Sequence, residues 1–76
     1  EGRIVNVVLN LAEQQNGHIA PGSFVRANQS EIAQLASTSR ETVSRFLAGC
    51  QRGELLTTFR GRLQILDPEG LRRMVV

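Results

Sequence analysis

Hydrophobic residues recur every three or four positions in the opening segment of the chain, from residue 2 to residue 15. This spacing places them on one face of a helix, so it predicts an amphipathic α-helix that ends at Asn16-Gly17. Pro21-Gly22 then predicts a turn between two short extended segments, one at Ile19 and one at Phe24-Val25.

The segment after this turn carries a start signal for a short second helix. Asn28 can cap its N-terminus, while Glu31, three residues later, can reach back to the backbone of Asn28 in a capping box. The apolar side chains that follow are Ile32, Leu35 and Ala36. We expect this helix to bury these three side chains.

The next segment carries a start signal for a third helix, and after that helix the spacing of apolar residues changes. Residues 37–39 read Ser-Thr-Ser, which favours a tight turn and an N-cap over helix, so a third helix is expected from Arg40 to about Gln51. The spacing then becomes typical of strands, at Leu55–Phe59 and Arg62–Leu66, on either side of Arg60-Gly61. These two runs predict a β-hairpin over about Leu55 to Leu66.

The end of the chain predicts a last short helix. Asp67 is a suitable N-cap, and Pro68 suits the first helical position. We expect Leu71, Met74 and Val75 to dock this helix on the core. Two helices joined by a tight turn and followed by a hairpin define a winged helix-turn-helix, so we predict a mainly α fold with a small β-hairpin wing. Residues 1–76 are expected to form one such domain.

Composition narrows the classes of function. A chain of 76 residues buries only about 60% of the surface that it exposes when unfolded, which argues against an enzyme with a deep cleft. The single cysteine, Cys50, excludes an internal disulfide and a multi-thiolate metal site, and it suits a reducing cytoplasm. Ser39, His18 and Asp67 lack the signature of a catalytic triad, so we expect no enzyme activity. No run approaches the roughly 18 apolar residues of a membrane span.

Charge is concentrated in one part of the chain. The net charge is only +2, and every basic residue is Arg. Residues 37–66 carry five Arg and two Glu, a local charge of +3, whereas the remainder carries four Arg and five acids, a charge of −1. The positive charge therefore falls on the third helix and the hairpin, the two elements that a winged helix presents to DNA.

One face of the third helix gathers polar side chains within an arc of about 140°. They are Arg40, Glu41, Ser44 and Arg45. Arg matches the paired acceptors of guanine, and Glu matches the amino group of cytosine. Ser39 and Thr42 can reach phosphates at the helix N-terminus. The alternative is a solvated face on which Glu41 pairs with Arg45 across one helical turn.

The sequence of the two central helices resembles that of a known family. Glu31–Ala36, followed by Ser39–Arg45, closely resembles the DNA-binding domain of the Crp/Fnr family of bacterial transcription regulators. The similarity continues through Leu55-Leu56, Arg60-Gly61-Arg62 and Ile65–Leu71. The resemblance implies sequence-specific binding of double-stranded DNA, with the third helix in the major groove and the wing on the DNA backbone.

The resemblance also implies a role for individual residues. By position, the base contacts are Arg40, Glu41, Ser44 and Arg45, and the phosphate contacts are Gln29, Ser30, Ser39, Thr42, Arg60 and Arg62. This set of base contacts is similar to that of the branch of the family that reads TGTGA-like half-sites. The expected DNA site is therefore a palindrome of two such half-sites.

Three positions depart from the family pattern. Ser37 stands where Gly is frequent. Residues 48–50 replace the usual basic end of the recognition helix, and Gly49 costs about 1 kcal/mol of helix propensity. Gly53 comes one residue early and is followed by Glu54. We expect a weaker helix end and a locally different entry to the wing.

The resemblance further implies partners outside this domain. Members of the Crp/Fnr family are homodimers with an upstream effector domain. We therefore expect the chain to be a fragment of a longer regulator. By itself this fragment should be monomeric and should hold no cofactor. Relatives sense cyclic nucleotides, haem, iron–sulfur clusters or 2-oxoglutarate, so the effector stays unknown, and RNA polymerase is a further candidate partner. The alternative function is a winged-helix protein–protein interaction module without specific DNA binding.

Overall fold

The computed structural model describes residues 2–75, and this part of the chain forms four α-helices and a three-stranded antiparallel sheet. In chain order the elements are α1 (Gly2–Asn16), β1 (Phe24–Arg26), α2 (Gln29–Leu35), α3 (Arg40–Arg52), β2 (Leu56–Phe59), β3 (Arg62–Ile65) and α4 (Pro68–Arg72). The predicted winged helix-turn-helix layout is confirmed, with α2 and α3 as the helix pair and the β2–β3 hairpin as the wing.

A single hydrophobic core receives side chains from all of these elements. Its largest fully buried members are Ile4, Ile32, Leu47, Leu56, Leu63, Ile65 and Leu71. Helix α2 packs on α3, α3 packs on β2, and α1 contacts both α2 and β1. Because each helix buries one apolar face against this core, α3 and the β2–β3 hairpin are held in a fixed relation.

The helix starts follow the predicted local chemistry. The Asn28 side chain accepts a hydrogen bond from the Glu31 N–H at 2.8 Å, and the Glu31 carboxylate accepts one from the Asn28 N–H at 2.9 Å, which completes the capping box. Asp67 caps α4 by accepting a bond from the Gly70 N–H at 3.0 Å, with Pro68 in the first turn. Both starts therefore lie where the sequence predicts them.

Two predicted core residues are instead exposed. Leu35 is 60% exposed, and the buried face of α2 consists of Ile32, Ala33 and Ala36. With Ile32 at 0° and about 100° per residue, Ala36 lies at about 40° and Ala33 at about 100°, whereas Leu35 lies about 60° outside this buried arc, on the side of Ile32. Met74, beyond the end of α4 at Arg72, is 36% exposed, whereas Val75 is partly buried against the core as expected.

The sheet has one strand more than the predicted hairpin. β1 pairs antiparallel with β3, placing Val25 opposite Leu63 and Arg26 opposite Arg62, so the strand order is β1-β3-β2. Ile19, expected to be extended, lies outside the strands. The wing is therefore anchored on its inner side by a strand that precedes α2.

Helix side chains occupy backbone groups at the two edges of this sheet. At the β1 edge the Gln15 amide accepts a bond from the Arg26 N–H at 2.7 Å and donates one to the Arg26 carbonyl at 2.9 Å. Asn16 donates to the Phe24 carbonyl at 2.9 Å. At the β2 edge Gln51 of α3 accepts from the Thr58 N–H at 2.9 Å. The outer strands are thus tied to α1 and α3.

Two helices end on a left-handed residue that is not glycine. Ser37 follows α2 with φ of 54°, and Glu54 follows the α3 cap with φ of 60°. In each case the next N–H bonds to a carbonyl five positions earlier, from Thr38 to Ala33 and from Leu55 to Cys50, both at 2.9 Å. These are Schellman motifs, in which glycine is the usual left-handed residue. Because Gly53 comes one residue early, Glu54 instead of a glycine takes the left-handed conformation at the entry to the wing.

The left-handed backbone at position 37 leads to a prediction about the stability of the domain. We expect Ser37→Gly to raise the free energy of unfolding by about 0.5–1 kcal/mol, because glycine removes the Cβ strain at a modest cost in chain entropy. Urea denaturation monitored by circular dichroism measures the change. Ser37→Ala keeps the Cβ and serves as the control. If the glycine variant is no more stable than the alanine variant, the Cβ does not strain the backbone at this position.

Candidate nucleic-acid interface

Helix α3 is fixed at its start by a local cap and along its length by the core. Ser39 Oγ accepts a hydrogen bond from the Thr42 N–H at 3.1 Å and lies 2.8 Å from the Thr42 hydroxyl. Val43, Leu47 and Cys50 are at most 3% exposed. The helix continues through Gly49 to Arg52. The buried stripe therefore turns the opposite face outward, as the helical period predicts.

The outward face carries the four predicted base-contacting side chains. Arg40, Glu41, Ser44 and Arg45 are all exposed. Within residues 2–75 none of the four makes a side-chain hydrogen bond or an ion pair, so the alternative pairing of Glu41 with Arg45 is not formed. Their donors and acceptors are available to a partner molecule.

The start of α2 lies beside this face. Gln29 and Ser30 occupy its first two positions, directly after the Asn28 cap. Neither side chain has a hydrogen-bond partner within the described residues. Ser39 and Thr42 differ, because their hydroxyls already bond to each other and Ser39 Oγ also accepts a bond from the Thr42 N–H. A phosphate bound by Ser39 or Thr42 would have to bond to the same hydroxyls that form the cap of α3.

The wing places two arginines in different surroundings. Arg60 is exposed in the hairpin turn, next to Gly61, whose φ of 76° the turn requires. Arg62 begins β3, and its guanidinium carbon lies 4.7 Å from the ring centroid of Phe24 and 5.2 Å from that of Phe59. Arg60 thus has no side-chain contact among the described residues that fixes its guanidinium, whereas Arg62 lies over two rings.

A groove joins these elements between the two helix starts and the wing. Its polar lining includes Asn28, Gln29, Arg40, Thr58, Arg60 and Arg62, and none of the lining residues is acidic. Three guanidinium groups therefore share one depression without a carboxylate to neutralise them. Such a groove attracts a polyanion, and Arg can contact a phosphate through two parallel N–H donors.

The remaining candidates for chemistry do not form a second site. Burial raises the pKa of the Cys50 thiol, so the thiolate that would make this residue reactive is disfavoured. Among residues 2–75 no three His, Cys, Asp or Glu side chains come together as a metal site. No helix in the same range has the length and apolar character of a membrane span.

The sequence prediction missed the two aromatic rings around Arg62. Phe24 and Phe59 are 41% and 47% exposed, and their centroids lie 6.1 Å apart. The sequence places Phe59 in the wing, but nothing in it links Phe59 to Phe24, which lies 35 positions earlier in the chain. The pairing of β1 with β3 brings the two together, and alternation within each strand is the only signal that both point outward.

A helix-turn-helix pair followed by a β-hairpin wing, with an acid-free, Arg-lined groove between them, is the architecture of a winged-helix domain. The Crp-like helix-turn-helix domain family matches residues 2–74, and the chain belongs to this family. It is a DNA-binding domain of transcription regulation and not an enzyme.

Solved structures share the fold over nearly the whole chain. A CRP-family transcriptional regulator of Thermus thermophilus, TTHB099, is 32% identical with a TM-score of 0.84, over 99% of this chain and 40% of that one. A CRP/FNR-family regulator of the same organism, TTHA1359, is 25% identical with a TM-score of 0.87, over 97% and 39%. The Thermus thermophilus catabolite activator protein is 27% identical with a TM-score of 0.82, over 97% and 32%.

The chain thus spans two fifths or less of the length of these solved relatives. Among curated proteins, none matches the sequence significantly.

Proposed function

We propose that the chain binds a specific double-stranded DNA sequence, with α3 in the major groove and the β2–β3 wing on the sugar–phosphate backbone. The observation that carries the proposal is the outward face of α3, where Arg40, Glu41 and Arg45 are exposed without partners among the described residues, beside a groove that has no acidic residue in its lining. The major groove admits one α-helix and displays a distinct donor and acceptor pattern for each base pair.

The chemistry of this face favours G·C pairs in the site. Each Arg matches the O6 and N7 acceptors of a guanine, and Glu41 matches the N4 amino group of a cytosine. Ser44, between them on the same face, can bond to several bases. A half-site of the TGTGA type, with two G·C pairs, fits this set of donors and acceptors.

Contacts to phosphates would fix the orientation of α3 on the duplex. Gln29 and Ser30 at the start of α2, Ser39 and Thr42 at the start of α3, and Arg60 and Arg62 in the wing flank the base-reading face. Side chains and backbone N–H groups at helix starts are frequent phosphate ligands. These contacts contribute affinity that does not depend on sequence.

A longer regulator would supply the second half of the site. Since the chain spans two fifths or less of its solved relatives, we propose that two copies, held as a homodimer by the remainder, read a palindrome. Half-sites about 34–36 Å apart would place both copies on one side of the DNA. RNA polymerase is a further proposed partner of such a complex.

Selection of bound duplexes from a random pool tests this function directly. We expect enrichment of one motif with G·C pairs at fixed positions, and loss of the preference when Arg40, Glu41 and Arg45 are replaced together. Enrichment without a motif would reject specific recognition. The absence of any enrichment would favour the interaction-module alternative.

The exposed wing arginine gives a separate prediction. We expect Arg60→Ala to weaken binding to all duplexes alike and to lower the slope of log affinity against log salt by about 0.9, because one phosphate contact and its released counterion are lost. Fluorescence anisotropy with two unrelated duplexes at several salt concentrations measures both effects. A loss confined to one duplex would assign Arg60 to base reading instead.

A further inference from the structure

The outer face of the sheet carries a cluster of two exposed aromatic rings around one guanidinium. Arg62 of β3 lies between Phe24 of β1 and Phe59 of β2, with its guanidinium carbon 4.7 Å and 5.2 Å from the two ring centroids. Both distances fall within the roughly 6 Å over which a cation is attracted by a ring face. The cluster thus joins all three strands on the side away from the core.

The strand register builds this cluster. Phe59 stands directly opposite Arg62, while Phe24 stands opposite the neighbouring outward residue, Gln64. On the other side Arg62 faces Arg26, a like charge. The attraction between the guanidinium and the two ring faces favours the observed position of Arg62 over Phe24 and Phe59.

Stacking orders the guanidinium but leaves its donors unused. A ring covers a flat face of the group, whereas the N–H donors point outward in its plane. Arg62 has no hydrogen bond or ion pair within residues 2–75, although it lines the acid-free groove. Arg60, two residues earlier, has neither a ring nor a polar partner in the same range, so of the two wing arginines only Arg62 has its guanidinium held against other side chains.

We propose that Phe24 and Phe59 are positioning residues that hold the Arg62 guanidinium in the orientation in which it binds a DNA phosphate. The proposal rests on the function proposed above. An arginine whose position is fixed before binding loses less side-chain freedom when it meets its ligand, so the same contact gives a higher affinity. The rings contribute through Arg62 and need not contact DNA.

A double-mutant cycle tests this coupling. The variants are Arg62→Ala, the pair Phe24→Leu with Phe59→Leu, and all three changes together, each titrated with a duplex of about 30 base pairs by anisotropy. We expect Arg62→Ala to weaken binding about tenfold, as for a charged hydrogen bond, and the leucine pair to weaken it about threefold. The triple variant should bind no more weakly than Arg62→Ala.

Two controls separate positioning from simple loss of structure. Phe24→Tyr with Phe59→Tyr keeps both ring faces and should retain the wild-type affinity. Leu35→Ala removes a still more exposed apolar side chain from α2 and should leave DNA affinity unchanged. In nuclear magnetic resonance spectra, the leucine pair should shift the Arg62 Nε–H signal by removing the ring current, while the Leu35 variant should not.

The outcomes distinguish this inference from the proposed function. If the unmodified chain binds DNA and the triple variant is about threefold weaker than Arg62→Ala, the rings act independently of Arg62 and the positioning role is overturned. The same holds if the leucine pair binds as tightly as the wild type. If the unmodified chain does not bind duplex DNA at all, the proposed function itself fails.

Discussion

Arg45→Ala is expected to weaken binding to the preferred DNA site by about 1–3 kcal/mol and to relax the base preference at one position of each half-site. Arg45 is exposed on the outward face of α3 and has no partner within the described residues, so both ends of its guanidinium fork are available to a base. Its removal would leave the acceptors of a guanine unpaired in the groove. Competition between the preferred duplex and single-base variants of it measures both effects.

The matched control for Arg45 is another exposed arginine. Arg73→Ala removes the same charge just beyond α4, outside the α3 face and the wing. We expect it to change affinity only through the weak long-range field, without a change in preferred sequence. If Arg45→Ala behaves like Arg73→Ala, with unchanged preference, Arg45 is not a base reader.

Ile32→Ala is expected to lower the free energy of unfolding by about 2–5 kcal/mol. Ile32 is fully buried on α2, which packs on α3, and its truncation leaves a cavity beneath the helix-turn-helix. Small domains are stable by only about 5–15 kcal/mol, and each kcal/mol shifts the Tm of one this size by about 4–8 °C. Thermal unfolding should therefore show a fall of about 10 °C or more.

Two substitutions bracket this effect. Ile32→Val removes one methylene group and should cost about 0.5–1.5 kcal/mol. Leu35→Ala, three positions along the same helix, should cost at most about 0.5 kcal/mol, because that side chain is 60% exposed. A Leu35 variant less stable than the Ile32→Ala variant would contradict the orientation of α2.

Local chemistry made the helix starts and the orientation of α3 predictable. The capping bonds at Asn28, Ser39 and Asp67 span three residues, so the sequence alone contains both partners of each bond. The outward placement of Arg40 and Arg45 follows from helical period and a well-marked apolar stripe. Their exposure is confirmed, and their contact with bases stays a prediction.

The cluster of Phe24 and Phe59 around Arg62 was not predicted, because it depends on pairing between strands that are far apart in the chain. Nothing near Phe24 indicates that it lies beside β3, because the partner strand is about 40 residues away and either face of a three-residue strand could be buried. The stacking of Arg62 depends on that pairing. The prediction for Leu35 is wrong for a related reason, since a seven-residue helix carries too few apolar positions to define its buried direction.

The amides at the sheet edges bear on how other chains could associate with this domain. An outer strand usually presents free N–H and carbonyl groups on which another extended segment can add. Here Gln15 and Asn16 occupy that side of β1, and Gln51 occupies the Thr58 N–H of β2. Strand addition at either edge would first have to displace these bonds. These bonds disfavour edge-to-edge aggregation and the addition of a partner's strand at the positions that they occupy.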